Sequence, residues 1–237
     1  MLIKTSGIVL RYVKYGDTSI IATLLTEAYG KMAFMVHGVR KNNAHIKLNC
    51  FEPLSFLSVE AYIKQGRDIQ RLKEASSLMP QTQDFHPATQ ALKYCIAEIL
   101  NKSIREESRN AELYDFIIKT IQDIKTEAVM KFLLEFLLKY SKIIGIEPLN
   151  NYSAQMCYFD LINGHFTGNI PEHPYYVANK TAELFSVLLT QIQEEKSLDI
   201  EYQNIKYFIP MLINYYRLHH IHIGEFKSYT VLQDILS

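Results

Sequence analysis

Apolar and polar positions alternate through the first third of the chain. The runs TSGIVLRYVKYG, DTSIIATLLTEAYG and KMAFMVHGVR are rich in Ile, Val, Thr, Tyr and Phe, and each closes on glycine or an Asp-containing turn. β-Branched and aromatic side chains suit a pleated, half-buried surface, so these runs predict strands. The Gly16-Asp17 and Gly30-Lys31 junctions are short enough for hairpins. Two further runs, FEPLSFLSVEAYIK and RDIQRLKEAS, flank a turn at Gly66. Five short strands in about 75 residues predict a small closed barrel of OB-like type, since closure removes exposed sheet edges. The polar, basic stretch from Val39 to Asn49 is expected to be the loop before the fourth strand.

From about Asp84 the period becomes helical. Pro80 and Pro87 mark the change, and ATQALKYCIAEILNKSI sets Ala91, Tyr94, Cys95, Glu98 and Ile99 at helical spacing. NAELYDFIIKTIQDI continues the pattern, as does AVMKFLLEFLLKYSKIIG, which stops at Gly145 with Pro148 beyond it. FLLEFLLKY is apolar on most faces, which makes its helix central to a second domain. Residues 149–180 are irregular and turn-rich, with a short hairpin expected through YFDLINGHFT. Two last helices are expected, from about Thr181 to Glu194 and from about Tyr202 to His220, with Pro210 kinking the second or lying near its start. The chain reads as α+β: a five-stranded OB-like barrel domain over 1–80, then a helical domain over 81–237 with an irregular insertion at about 149–180.

Composition adds location and charge. With 237 residues, 48% of them apolar, the chain is long enough for two domains or one large one with a substantial core. No run of about 18 apolar residues occurs, and Lys4 and Arg11 break the N-terminal apolar stretch, so neither a membrane span nor a secretory signal is expected. Cys50, Cys95 and Cys157 are odd in number and far apart, which fits a reducing compartment and a cytoplasmic location. The net charge of zero is uneven. Residues 1–80 hold seven Lys and four Arg against six acidic residues, a surplus of five that the remainder reverses. A basic barrel points to a polyanionic partner, against the plainer reading of a neutral protein with uneven surface charge.

The N-terminal stretch GIVLRYVKYGDTSIIATLLTEAYGKMAFMVHGVRK resembles the RecO family of DNA repair proteins. It shows a Gly-x-Val-Leu opening, Tyr15-Gly16-acid, Leu-Thr-x-x-x-Gly-Lys and then Gly38-Val39-Arg40-Lys41. FEPLSFLSVE is similar to that family's fourth strand, KIIGIEPL to its helix end before a zinc region, and HIGEFKSYTVLQDIL to its closing Gly-x-x-Lys-Ser segment. The resemblance implies a recombination mediator that binds single- and double-stranded DNA, anneals complementary strands and assists recombinase loading. The partners implied are RecR, the single-strand DNA-binding protein and, indirectly, RecA filaments, with no nucleotide cofactor. Many members carry two Cys pairs after the Pro and hold zinc with them. Here only Cys157 remains, and His165 and His173 do not complete a paired CxxC geometry, so the zinc site is read as lost. If the scaffold is kept, Tyr158, Phe159 and Phe166 are expected to replace the metal with an apolar cluster.

Single strands are held by basic side chains along the phosphates and aromatic faces under the bases. Arg11, Lys14, Lys31, Arg40, Lys41, Lys47, Arg67 and Arg71 supply charge in the barrel, with Tyr12 and Tyr15 among them. The Arg40-Lys41 pair in its polar loop is read as a phosphate contact, against simple solvation. Phe34 alternates with Met35 and reads as core more than as a stacking platform. His219 and His222 would share a helical face, yet no carboxylate completes a ligand set, and histidines meeting the last carbonyls of a helix explain them better. Cys95 reads as a small core residue and Glu106-Glu107 as a solvated pair.

No Gly-x-Ser-x-Gly elbow, Walker A sequence, dinucleotide fingerprint or His-Glu-x-x-His occurs, so an enzyme is disfavoured and no cofactor is expected. Two alternatives stay open. One is an RNA-binding OB module, and the other a metal-dependent enzyme centred on Cys157 or the His219 to His222 cluster.

Overall fold

The computed structural model describes residues 1–41, 43–79, 86–105, 108–125, 127–221 and 223–236. Among them no helix is long and apolar enough to cross a membrane. Two compact units form, Met1–Thr126 with Phe226–Ser237, and Glu127–Glu225. The sequence boundary at Pro80 and the onset at Asp84 lie outside the described residues, as do the Glu106-Glu107 pair and His222.

In the first unit, β1 (Leu2–Tyr15), β2 (Ser19–Thr26), β3 (Gly30–Val36), β4 (Phe56–Tyr62) and β5 (Ile69–Ser77) close a barrel in the order β1-β2-β3-β5-β4. All five are predicted strands. β1 is long enough to pair with β2 through one half and β4 through the other, with a bulge between Val9 and Arg11 that lets it bend. A row followed through Val13, Ile21, Met35, Arg71 and Tyr62 returns to β1 at Leu2, eleven positions before Val13. That stagger gives strongly tilted strands and a narrow interior filled by side chains. Val9, Leu24, Phe34, Leu57, Val59 and Leu72 are among those filling it, and Phe34 is core as the alternation implied. The basic loop after β3 is anchored as well. Val39 and Ile46 are buried, and a 3-10 turn at Leu48–Phe51 delivers Phe51 to the same core.

Ile8 and Leu10, one position out of phase with Val9, are equally buried, and α1 (Pro87–Ser103) packs on this strand. Next come α2 (Ala111–Asp123), whose Asn110 side chain caps Leu113 N–H at 3.0 Å, and, from the chain's end, α6 (Lys227–Ile235), which packs on α1. The sequence pattern did not predict α6. A carboxylate 130 positions away caps its first turn: the Ser228 backbone N–H and hydroxyl both donate to Glu98 Oε2 of α1. Cys95, on the same helix, is fully buried, and burial pushes its thiol up to about 12.

The second unit holds α3 (Val129–Ile143), a sheet of β6 (Tyr158–Asp160), β7 (His165–Thr167) and β8 (Tyr176–Val177) in the order β7-β6-β8, α4 (Asn179–Gln193) and α5 (Tyr202–Leu218). The hairpin through YFDLINGHFT is present, and Pro210 lies inside α5, well beyond its first turn. Phe159 packs edge-on against Phe166 and Phe185 at ring separations of 4.9 and 4.8 Å, and all three are fully buried. Tyr158 lies apart from that cluster, against Tyr176. Asp160 builds the hairpin turn by accepting from Ile162 N–H, Asn163 N–H and Asn163 Nδ2. α5 ends at Leu218, two residues short of the expected end at His220. His219 instead caps the helix, its Nε2 3.1 Å from the Leu161 carbonyl.

Candidate nucleic-acid interface

Alternation that sends Phe34, Val59 and Leu72 inward must send their neighbours outward. On β5 those are Ile69 and Arg71, on β3 Met35 and on β4 Tyr62, all brought side by side by the β3–β5 and β4–β5 pairings. They line a cleft of about 730 Å³ completed by Tyr15, Lys64 and Arg67. Tyr62 and Tyr15 are 46% and 56% exposed, a large aromatic surface to leave in water. The Arg71 guanidinium lies 6.0 Å over the Tyr62 ring, and the two residues are direct cross-strand partners. The cleft therefore offers exposed aromatic surface with a guanidinium held over one tyrosine ring and further cations in the same lining.

Its floor is held by Gln70, a buried amide with every polar atom engaged. Oε1 accepts from Lys64 N–H at 2.8 Å, while Nε2 donates to the carbonyls of Lys64 and Arg67 at 3.2 and 2.7 Å. This clamps the β4–β5 turn and fixes the backbone from which Lys64 and Arg67 project. Gly66, at φ +77°, supplies the left-handed step that turn requires.

A second cleft of about 680 Å³ opens where β1, β3 and the β4–β5 turn meet the end of α1. Arg11, Lys31, Arg67, Lys102 and Arg105 line it, with Asp68 the one acidic residue in the lining among the described residues. Arg67 and Gln70 belong to both clefts. None of the ion pairs among the described residues includes Arg11, Arg67 or Arg105.

The ten residues read from sequence do not all converge. Tyr15, Arg67 and Arg71 line the first cleft, and Arg11, Lys31 and Arg67 the second. Lys14, Lys41 and Lys47 are exposed and line neither. Tyr12 is partly buried against the barrel core. Arg40 donates to the Gly16 carbonyl at 3.1 Å, tying its loop to the β1–β2 turn. Lys31 is half-buried, and its ammonium donates to the carbonyls of Asn101 and Ile104 at the end of α1, the latter at 2.9 Å. Burial, then the nearby charge of Arg11, hold it below the ordinary lysine value. Beside it, Gly30 sits at φ +68°, where a Cβ would collide with the Ser108 backbone. The Gly-Lys pair is thus placed as a fastener between barrel and helix. Tyr62, Lys64, Gln70, Lys102 and Arg105 join the lining beyond the residues that charge and composition mark in the sequence. For Tyr62 a signal existed, since it is out of phase with the inward Val59 and Ala61.

Among the described residues no group of three or more His, Cys, Asp or Glu is placed to hold a metal. His165 Nδ1 lies 3.1 Å from the Asn163 carbonyl, and His173 Nε2 3.3 Å from Asp160 Oδ1.

Residues 1–80 match the family model described as recombination protein O N terminal, and residues 88–228 the model described as recombination protein O C terminal. The DNA repair protein RecO of Phocaeicola vulgatus is 30% identical, with all of both chains covered. That of Bacteroides fragilis is 32% identical and that of Christiangramia forsetii 29%, each over 99% of both chains. Two family models in succession and full-length relatives at these identities show that the chain belongs to the recombination protein O (RecO) family, with a role in DNA repair and recombination.

Proposed function

We propose that this chain binds single-stranded DNA across the outer face of its barrel and anneals complementary strands, assisting recombinase loading on strands coated with single-strand DNA-binding protein. The observation that carries this reading is the exposed pair Tyr15 and Tyr62 with Arg71 over Tyr62, continued by the cations around Arg67. Bases stack on the tyrosines while guanidinium groups neutralise the phosphates. Lys14, Arg40, Lys41 and Lys47 extend the positive surface as outlying phosphate contacts, which also serve duplex products because phosphate attraction is blind to sequence. No bond is made or broken in annealing, so neither catalysis nor a nucleotide cofactor is needed. The protein works with RecR, contacts the single-strand DNA-binding protein and reaches RecA filaments indirectly.

The test is binding and annealing of labelled oligonucleotides by the natural protein and by Tyr62→Ala and Arg71→Gln, with an RNA strand of the same sequence alongside. A base–aromatic stack is worth about 1–3 kcal/mol, so Tyr62→Ala should weaken single-strand binding by about fivefold or more without ATP playing any part. Full retention of binding in both variants refutes the site. Preference for the RNA strand shifts the reading to an RNA-binding module.

A further inference from the structure

The two clefts differ in chemistry although they share a wall. The first is aromatic and apolar with charge at its rim. The second is lined by cations from two separate parts of the unit: Arg11 and Arg67 from the barrel, Lys102 and Arg105 from the end of α1. The carbonyls that close α1, those of Asn101 and Ile104, are taken by Lys31, which removes their negative pole from the cleft. Lys102 is paired with Glu98. Arg11, Arg67 and Arg105 are exposed, and each guanidinium presents a planar fork of donors that matches phosphate oxygens two at a time. Like charges gathered round one cavity repel, and an anion bound among them relieves that repulsion.

We infer that the second cleft is a phosphate-binding site that bridges barrel and helix, with Arg67 as the pivot at which a strand passes from base stacking to phosphate binding. The inference rests on the single-strand reading above and refines it. A strand that leaves the Tyr15–Tyr62 face past Arg67 meets Arg11 and Arg105 next, so its following phosphate is gripped from both sides. The barrel and α1 are then joined by the ligand as well as by Lys31. Gln70 acts as a positioning residue, because it holds the turn from which Arg67 reaches both clefts.

The experiment compares the natural protein, the double variant Arg11→Gln/Arg105→Gln and Tyr62→Ala, titrated with oligo(dT) of about 15 nucleotides over a range of salt. Each phosphate neutralised on a single strand contributes about 0.7 to the slope of log K against log salt. The double variant should lose about 0.7 of that slope and about tenfold in affinity at low salt, with its melting temperature unchanged. Inorganic pyrophosphate should compete for the natural protein and not for the double variant. Strands with and without a 5′-phosphate separate the two sources of the anion: equal binding assigns an internal phosphodiester, and tighter binding of the phosphorylated strand assigns the strand end. An unchanged slope in the double variant with weakened binding in Tyr62→Ala overturns this inference and leaves the single-strand reading standing. Unchanged binding in both overturns the two together.

Discussion

Replacing Lys31 by Met separates two roles that the sequence alone merges, holding DNA and holding the fold. Methionine keeps the apolar stem and removes the ammonium that donates to the Asn101 and Ile104 carbonyls. Hydrogen bonds from a charged donor contribute about 1.5–3 kcal/mol, and a cation at a helix C-terminus adds about 0.3–1 kcal/mol. Opposing this, the variant no longer buries a charge or sets it near Arg11, the two effects that lower the lysine's pKa. The net expected loss is about 2 kcal/mol. For a chain of this length that corresponds to a melting temperature lower by about 4–8 °C, readable by circular dichroism. Single-strand affinity, measured well below the transition, should fall by less than the loss of about tenfold expected of Arg11→Gln/Arg105→Gln, because the ammonium is engaged by carbonyls and not held free for phosphate. An unshifted transition together with a clear fall in affinity would refute this reasoning, since it would place the ammonium on phosphate.

Gly30→Ala forces a Cβ into the Ser108 backbone at φ +68° and should cost about 1–3 kcal/mol by chemical denaturation, more than a surface substitution does. Glu98 has a pKa below its ordinary 4.5: burial pushes it up, but hydrogen bonds from Lys102 and Ser228 outweigh that. Its contribution is therefore complete above the unfolded value and lost as pH falls through the folded one, so the stability gap between the natural protein and Glu98→Gln should be open at pH 7 and narrow as pH falls below 4.5. Phe159→Ala empties the centre of the aromatic cluster and should destabilise the second unit by about 3–5 kcal/mol in urea unfolding, with little effect on single-strand binding.

The five strands and the first five helices were legible because each carries its own period. Phe34 and Val59 announce a strand locally, and the LLEFLL stretch announces a buried helix. What escaped depends on partners distant in sequence. KSYTVLQDI, at nine residues, is too short to show a clear period of its own, and Glu98, the carboxylate that caps it, is on another helix. The polar loop hid its anchors because Val39 and Ile46 are single apolar residues among cations, with no period to mark them. Basic residues in the barrel were legible as a group but not individually: charge is visible in a sequence, and direction is not. Lys31 and Arg71 look alike as letters, yet strand register turns one toward a helix end and the other over a tyrosine. The clefts exist only once β3 and β5 meet, and nothing local encodes that pairing.

That pairing has a consequence of its own. The barrel closes through three parallel residue pairs, Ala33 to Met35 against Ile69 to Arg71, while its antiparallel ladders are longer. The seam is thus where the hoop is easiest to part, and local opening there should set the fastest amide exchange among its ladders. Met35, Ile69 and Arg71 on that seam also line the tyrosine cleft. A ligand lying across them binds only the closed hoop, so it works as a clasp, and occupancy suppresses opening in proportion to its concentration over its dissociation constant. Slowed exchange at the seam would then report the loaded state directly, without a label on the nucleic acid.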